Sequence, residues 1–413
     1  MIKVCDAIMG SGKTSAAIAY MNEQSDKKFI FITPYLSEAE RIRDSCPDLD
    51  FVEPKSTLEE FNFSKVNHTA SLIAEGRNIT TTHQAFKYYT AEMLGNIAAY
   101  GYTLIIDECV DVLETYEITP GDLNMLVDGG YVTKLGEVYT KGKVPYKGTA
   151  FRRFFRTLES RELVAVDDPS GKMYYWMLPP SFLRPFRDVI ILTYMFRGQS
   201  LYHMLRMNDI PFKYIGVSHS PGSDYRFGPA GQKPPQYVRQ LGEMIHVLDN
   251  DRMNKVGDSR FALSMSWYAR GGAGINQLTS NIVNFFRNIQ EDSTSENRLC
   301  GSFATYKGKI KGKGYTKSIV PFNLRATNEY RSRNCLVYAV NVFMNANEKR
   351  YYSKHGSQVD EDAYALSTMV QWIWRSAIRD GGEIDIYIPS RRMRELLMDW
   401  IDTVSKGVTA GAA

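Results

Sequence analysis

The stretch that most limits what this chain can fold into is AIMGSGKTSAAIAYMNEQ, residues 7–24. The residues leading into it, IKVCDAI, are small and apolar and predict a buried strand. The residues after the glycines, SAAIAYMNEQ, are helix formers and predict a helix. The glycines therefore stand on a strand-to-helix turn. At such a turn backbone N–H groups and the positive end of the helix dipole converge on a space that suits an anion. Gly10 and Gly12 let the backbone wrap a phosphate with no Cβ in the way. In this pattern Lys13 reaches the β- and γ-phosphates and the Thr14 hydroxyl holds Mg²⁺, with Gly10, Ser11, Gly12, Lys13, Thr14 and Ser15 forming the binding stretch. The usual spacing begins with a glycine; here that position is Ala7.

A phosphate loop needs an acidic partner on the metal side, and YTLIIDECVDVLE supplies one. Tyr102 to Ile106 reads as an apolar strand, with Asp107 and Glu108 at its end. Ends of parallel strands are where open α/β sheets bind ligands. Asp107 is the candidate for Mg²⁺, and Glu108 the candidate for polarising the water that attacks the γ-phosphate.

Together AIMGSGKT and the DEC box resemble the superfamily 2 (DExx-box) helicases and translocases, and the stretch from Asn341 to Ser390 looks most like helicase-like proteins of bacteriophages. FIFITPYLSEAERI (29–42) looks like the family's next strand and nucleic-acid loop, and ITTTHQAF (79–86) like its following motif, which places Thr82 and His83 near a strand end as nucleic-acid candidates. VIILTYMFRG (189–198) sits where the family has its Ser/Thr coupling motif, and VPFNLRATNEYRSR (320–333) resembles its fifth motif, with Arg325 and Thr327 as nucleic-acid candidates. QWIWRSAIR (371–379) resembles the sixth, although Trp374 replaces the family's glycine and the last spacing is one residue longer. Gln371, Arg375 and Arg379 lie four apart, which predicts one helical face. An arginine from a second domain can neutralise charge in a phosphoryl-transfer transition state, and its planar fork matches phosphate oxygens. The resemblance implies an α/β fold of two tandem RecA-like P-loop domains with an ATP cleft between them. It further implies ATP and Mg²⁺ as cofactors and Lys13, Glu108, Gln371, Arg375 and Arg379 as the catalytic set.

At 413 residues the chain is too long for one ordinary domain. Alternating strand and helix signals predict a first α/β domain over residues 1–200, with an irregular insertion at about 117–178 rich in Gly, Lys and aromatics. Residues 201–240 contain SHSPGSDYRFGPAGQKPPQYV and read as a linker or exposed loop. A second α/β domain is expected over 241–405, with strands at RFALSMSWY (260–268), CLVYAVNVF (335–343) and EIDIYIP (383–389) and a closing amphipathic helix, followed by a mobile tail at 406–413.

The net charge of +4 is too mild to name a partner, but its distribution is informative. YKGKIKGKGYTK (306–317) places Lys307, Lys309, Lys311 and Lys313 among glycines and two tyrosines, a pattern that suits a phosphate backbone and base stacking, or a solvated hairpin. KGKVPYKGTAFRRFFR (141–156) is a second basic and aromatic stretch. Single-stranded or duplex nucleic acid is the expected partner, DNA over RNA by family resemblance, together with phage replication proteins. The five cysteines include no CxxC pair, the opening residues lack a charged-then-apolar leader, and no apolar run reaches transmembrane length. A cytoplasmic protein with no membrane partner is therefore expected, acting in DNA replication, recombination or repair. Two other readings share the phosphate loop: the ATPase of a viral DNA-packaging terminase, and a nucleotide-switched nucleic-acid-binding protein that does not move.

Overall fold

The computed structural model describes residues 1–34, 36–61, 64–169, 171–219, 224–231, 236–324 and 329–407. Its first twelve strands are β1 (Ile2–Asp6), β2 (Phe29–Thr33), β3 (Ile79–Thr82), β4 (Thr103–Asp107), β5 (Leu113–Tyr116), β6 (Val132–Leu135), β7 (Val138–Lys141), β8 (Glu162–Asp168), β9 (Gly171–Met177), β10 (Asp188–Thr193), β11 (Phe212–Ser218) and β12 (Arg226–Pro229). Seven of them form one sheet in the order β12-β11-β1-β10-β4-β2-β3. All its neighbours run parallel except the β11–β12 pair. Its inner strands read as nearly continuous apolar runs, FIFIT and TLIID among them, because helices cover both faces of a parallel sheet. The chain leaves β1 for β2 and β3, returns to β4, and fills the gap between β4 and β1 with β10 only later. That change of direction creates a crevice at the carboxyl ends of β1 and β4, where the phosphate loop and the acidic box stand.

The insertion between β4 and β10 folds as its own antiparallel sheet, β5-β9-β8-β7-β6. Leu123, Leu126, Val132, Tyr139, Phe154, Leu158, Leu163, Tyr174 and Trp176 form its core.

Five further strands, β13 (Ile245–Val247), β14 (Arg298–Ser302), β15 (Ile319–Pro321), β16 (Cys335–Tyr338) and β17 (Ile384–Tyr387), make a second, all-parallel sheet in the order β13-β17-β16-β14-β15. The chain divides into two α/β units. One comprises Met1–Asp6, Gly12–Ala230 and Asn345–Val359, and the other Ala7–Ser11, Gly231–Met344 and Asp360–Ala413. All five cysteines are buried and none is held in a disulfide. Among the described residues no helix is long and apolar enough to cross a membrane.

Three expectations about organisation are corrected. Residues 201–240 are not a linker: the helix Ser200–Met207 is followed by β11, which pairs with β1 inside the first sheet, and by β12. The second domain is not continuous from 241 to 405. Residues Asn345–Val359 belong to the first unit, where Arg350 donates to the Asp167 carbonyl and His203 Nδ1 lies 2.8 Å from Ser357 Oγ. RFALSMSWY is a turn followed by the helix Met265–Arg270, because Ser264 caps the Trp267 amide and overrides the alternating pattern.

Candidate active site

Glycine is required at both turns of the loop. Gly10 (φ 77°) and Gly12 (φ 83°) are left-handed, and a Cβ at Gly12 would stand 2.2 Å from Tyr225 Cδ1. The Met9 carbonyl accepts a hydrogen bond from the Tyr237 hydroxyl. Helix Lys13–Asn22 starts immediately after Gly12, and the Ala16 amide donates to the Gly12 carbonyl (2.8 Å). Ser11 Oγ is buried and finds no partner among the described residues. An anion bound here would meet that hydroxyl together with Lys13 and the helix end, so these residues fit a phosphate chain.

Lys13 is desolvated, which lowers its pKa, and the acidic groups that oppose the shift are Asp107, Asp6 and Glu108, beside the Cys5 thiol. Desolvation also pushes Asp107 up to about 7, reinforced by Glu108 and Glu38 and opposed by Lys13 and Arg41. A desolvated lysine facing two carboxylates at the end of one sheet is the charge pattern that a magnesium–triphosphate complex satisfies. Glu108 departs from the strand in a left-handed conformation (φ 61°), its amide donating to the Leu192 carbonyl at 2.9 Å. For a non-glycine residue that geometry costs about 1–3 kcal/mol, a strain that concentrates at functional sites.

The neighbouring motifs support this end of the sheet. Thr82 caps the short helix His83–Phe86, its hydroxyl accepting from the Ala85 amide (3.3 Å). His83 Nε2 lies 2.8 Å from the Asp107 carbonyl oxygen, so the imidazole ties the end of β3 to the acidic box. Thr193, at the end of β10, accepts from Cys109 Sγ at 3.5 Å. Sequence reasoning missed Asp6. Its carboxylate accepts the amides of Met195 (2.7 Å) and Phe196 (3.0 Å), and burial pushes its pKa up to about 6. The only signal was the Asp at the end of β1, because its partners lie 189 and 190 positions away.

The arginine motif differs from expectation. The helix Glu361–Ile373 stops before Arg375, and Arg379 lies on a separate short turn, Ala377–Asp380, so Gln371, Arg375 and Arg379 do not share one helical face. The Ala377 amide is taken by the Arg333 carbonyl (2.8 Å), and Ser376 Oγ donates back to the Ile373 carbonyl (2.6 Å), which together turn the chain. Arg375 is buried, 7% exposed, while Gln371 and Arg379 are half-buried. Gln371 Nε2 donates to Ser367 Oγ at 3.0 Å.

The lysine-rich run is no hairpin either. Residues Ala304–Ile310 form a tight helical turn, with Lys309 Nζ donating to the Tyr268 carbonyl (2.7 Å). Tyr315 is buried with its hydroxyl on the Ile310 carbonyl, and Tyr306 stacks on Tyr268 at 5.7 Å, so these tyrosines serve packing rather than bases. Lys307, Lys311 and Lys313 are exposed. Arg325 and Thr327 lie outside the described residues.

A family model described as the YonV C-terminal Rossmann-like domain matches residues 239–401. The SPbeta prophage-derived uncharacterized protein YonV of Bacillus subtilis (strain 168) is 36% identical over 410 residues, spanning 97% of this chain and 98% of that protein. The chain belongs to the YonV family. Among solved structures this YonV-family chain is similar to S. tokodaii Xpd4, with 13% identity and a TM-score of 0.49 over 97% of this chain and 94% of that one. A DEAD box protein from the hyperthermophile Methanococcus jannaschii is 11% identical with a TM-score of 0.25, over 98% and 86% of the two chains.

Proposed function

We propose that this protein is a nucleic-acid-dependent ATPase of the helicase or translocase kind, borne by a phage and acting in the host cytoplasm during DNA replication, recombination or repair. The observation that carries the reading is Lys13, at the start of its helix, electrostatically coupled to Asp107 and Glu108 at the end of a strand of the same sheet. The prophage setting of the Bacillus subtilis relative supports the phage assignment.

In this reading the loop Gly10–Ser15 cradles the phosphates and Lys13 binds the β- and γ-phosphates. Mg²⁺, held by Thr14 and Asp107, would neutralise charge on the phosphates. Glu108 orients and polarises the attacking water. His83, through its contact with the Asp107 carbonyl, is a positioning residue for the acidic box. Arg375 or Arg379 supplies positive charge to the transition state, and the neutral Gln371 amide completes the catalytic set. Thr82, Arg325, Thr327 and the exposed lysines of the 307–313 run are assigned to the strand, DNA over RNA.

The test is Glu108→Gln beside Lys13→Ala. Glu108→Gln should retain binding of a fluorescent ATP analogue while turnover drops by about 100-fold or more. Lys13→Ala should lose hydrolysis altogether, and single-stranded DNA should stimulate the parent. Normal turnover in Lys13→Ala would overturn the phosphate-loop reading. Parent turnover indifferent to DNA and RNA would leave a nucleotide switch.

A further inference from the structure

From Val138 to Leu158 the chain carries Lys141, Lys143, Lys147, Arg152, Arg153 and Arg156 and not one acid. All six are exposed. Lys141 pairs with Glu159 (3.5 Å), whereas among the described residues the other five pair with no carboxylate. Elsewhere in the same unit Arg161 pairs with Glu114 and Lys354 with Glu137.

The five free cations stand on an ordered scaffold. After β7 the chain stays paired with the residues before β6: the Gly142 amide donates to the Tyr131 carbonyl (2.8 Å) and the Val144 amide to the Gly130 carbonyl (3.1 Å). Gly142 admits no side chain, since a Cβ would lie 2.2 Å from the Gly130 carbonyl oxygen. Tyr146 then folds over the helix Arg152–Leu158, stacking on Phe155 (4.5 Å, 17°) and meeting Tyr131 and Phe151 edge-on at 5.4 and 6.1 Å. Its hydroxyl accepts the Phe151 amide (3.4 Å). Lys143 and Lys147, on either side of Tyr146, are thereby fixed beside the helix that bears Arg152, Arg153 and Arg156.

Unpaired like charges on a rigid surface repel one another and do nothing for folding; a polyanion relieves that repulsion. Because the aromatic cluster holds the segment in place, a partner would bind without first ordering it. The rings are packed on one another rather than presented, so the face offers charge and not an apolar surface for a bilayer. The geometry assigns this surface of the inserted sheet to the phosphodiester backbone of a nucleic-acid strand, as a sequence-independent contact separate from the 307–313 lysines. The assignment rests on the motor reading and adds to it a place where the strand is held.

The experiment uses the full chain with Lys143, Lys147, Arg152 and Arg156 all changed to Glu, and a second variant with all four changed to Gln. Binding of a labelled single strand and of a duplex is followed by fluorescence anisotropy from about 50 to 200 mM salt. Each lost phosphate contact flattens the logarithmic salt dependence on a single strand by about 0.7, so the Gln variant should lose up to about 3 in slope and bind at least about tenfold more weakly. The Glu variant should bind more weakly still, with thermal melting and nucleic-acid-free ATPase as in the parent. If the parent binds but the variants keep its affinity and slope, this surface is not the contact and the motor reading stands. If the parent binds no nucleic acid, both fall. If the variants instead lose binding to phosphatidylserine vesicles while nucleic-acid binding is unchanged, the surface belongs to a membrane and the assignment is overturned.

Discussion

Gly12→Ala should damage the phosphate loop twice, and the two contributions can be separated. Gly12 sits at φ 83°, where an L-residue costs about 1–2 kcal/mol. The added methyl would also lie 2.2 and 2.4 Å from Tyr225 Cδ1 and Cε1, against an ordinary contact limit of 3.4 Å. The ring cannot simply swing away: it stacks on His219 at 4.3 Å, and the next residue begins β12, which is hydrogen-bonded to β11. Overpacking of that kind costs about 1–3 kcal/mol, for a total of about 2–5 kcal/mol. Gly10→Ala is the milder control. Its φ of 77° carries the same conformational cost, but the methyl meets only the far end of a side chain, Tyr237 Oη, at 2.8 Å. The assay is urea denaturation of Gly12→Ala, Tyr225→Ala and the double variant. If the ring is the obstacle, truncating it in the Gly12→Ala background should restore about 1–3 kcal/mol, seen as non-additivity in the cycle, while the left-handed cost remains. Nucleotide binding should stay impaired in the double variant, because the methyl still stands in the cradle. A double variant as unstable as the sum of the two singles would refute the packing argument.

Two further outcomes follow from buried groups. His203 is fully buried and its pKa is pushed down to about 4 by desolvation, against 6.5 for a free imidazole. It is neutral in the folded protein, so as pH falls the unfolded chain takes up the proton first. Stability present above pH 6.5 should then be lost on the way to pH 4, by up to about 3 kcal/mol. Thermal melts of parent and His203→Gln across that window should show a flatter dependence in the variant, and equal slopes would refute the assignment. Arg379→Lys should lower nucleic-acid-stimulated turnover by about a thousandfold with little change in melting, while Arg375→Lys should also lower the melting temperature because its site is buried. Turnover within a few-fold of the parent in both variants would remove the arginine motif from the mechanism.

The parts of the site that were legible are those built from contiguous residues. A strand, two left-handed glycines and a helix follow one another from Ile2 to Asn22, so apolar patterning and turn chemistry sufficed. The acidic box was equally local, an apolar strand ending in Asp107. What the sequence could not reveal is how distant segments close around them. Asp6 is held by amides beyond the end of β10, Tyr225 reaches Gly12 from the start of β12, and His83 reaches Asp107 from β3. Each contact depends on strand order, and the order of this sheet follows no local signal: β10 enters between β1 and β4 only after the whole insertion has been made.

The arginine motif went astray for a different reason. Spacing by four is evidence for one face only if the helix continues, and helix propensity through QWIWRSAIR gives no sign that it stops. The stop is tertiary. The chain that follows must pair as β17 with β16, and the Ala377 amide finds its partner at Arg333, just before β16 begins. Ser376 supports the break by bonding the last turn's carbonyl. One consequence is chemical: Arg375 is buried at the end of the helix, while Arg379 rides on a turn whose next residue, Asp380, is held by Arg331. The two arginines are therefore not interchangeable copies along a face. A buried guanidinium is fixed by its surroundings, whereas one on a half-exposed turn can change position with little disturbance to the core. An arginine that must meet a phosphate only when nucleotide is bound needs that second kind of setting, which makes Arg379 the better candidate of the two.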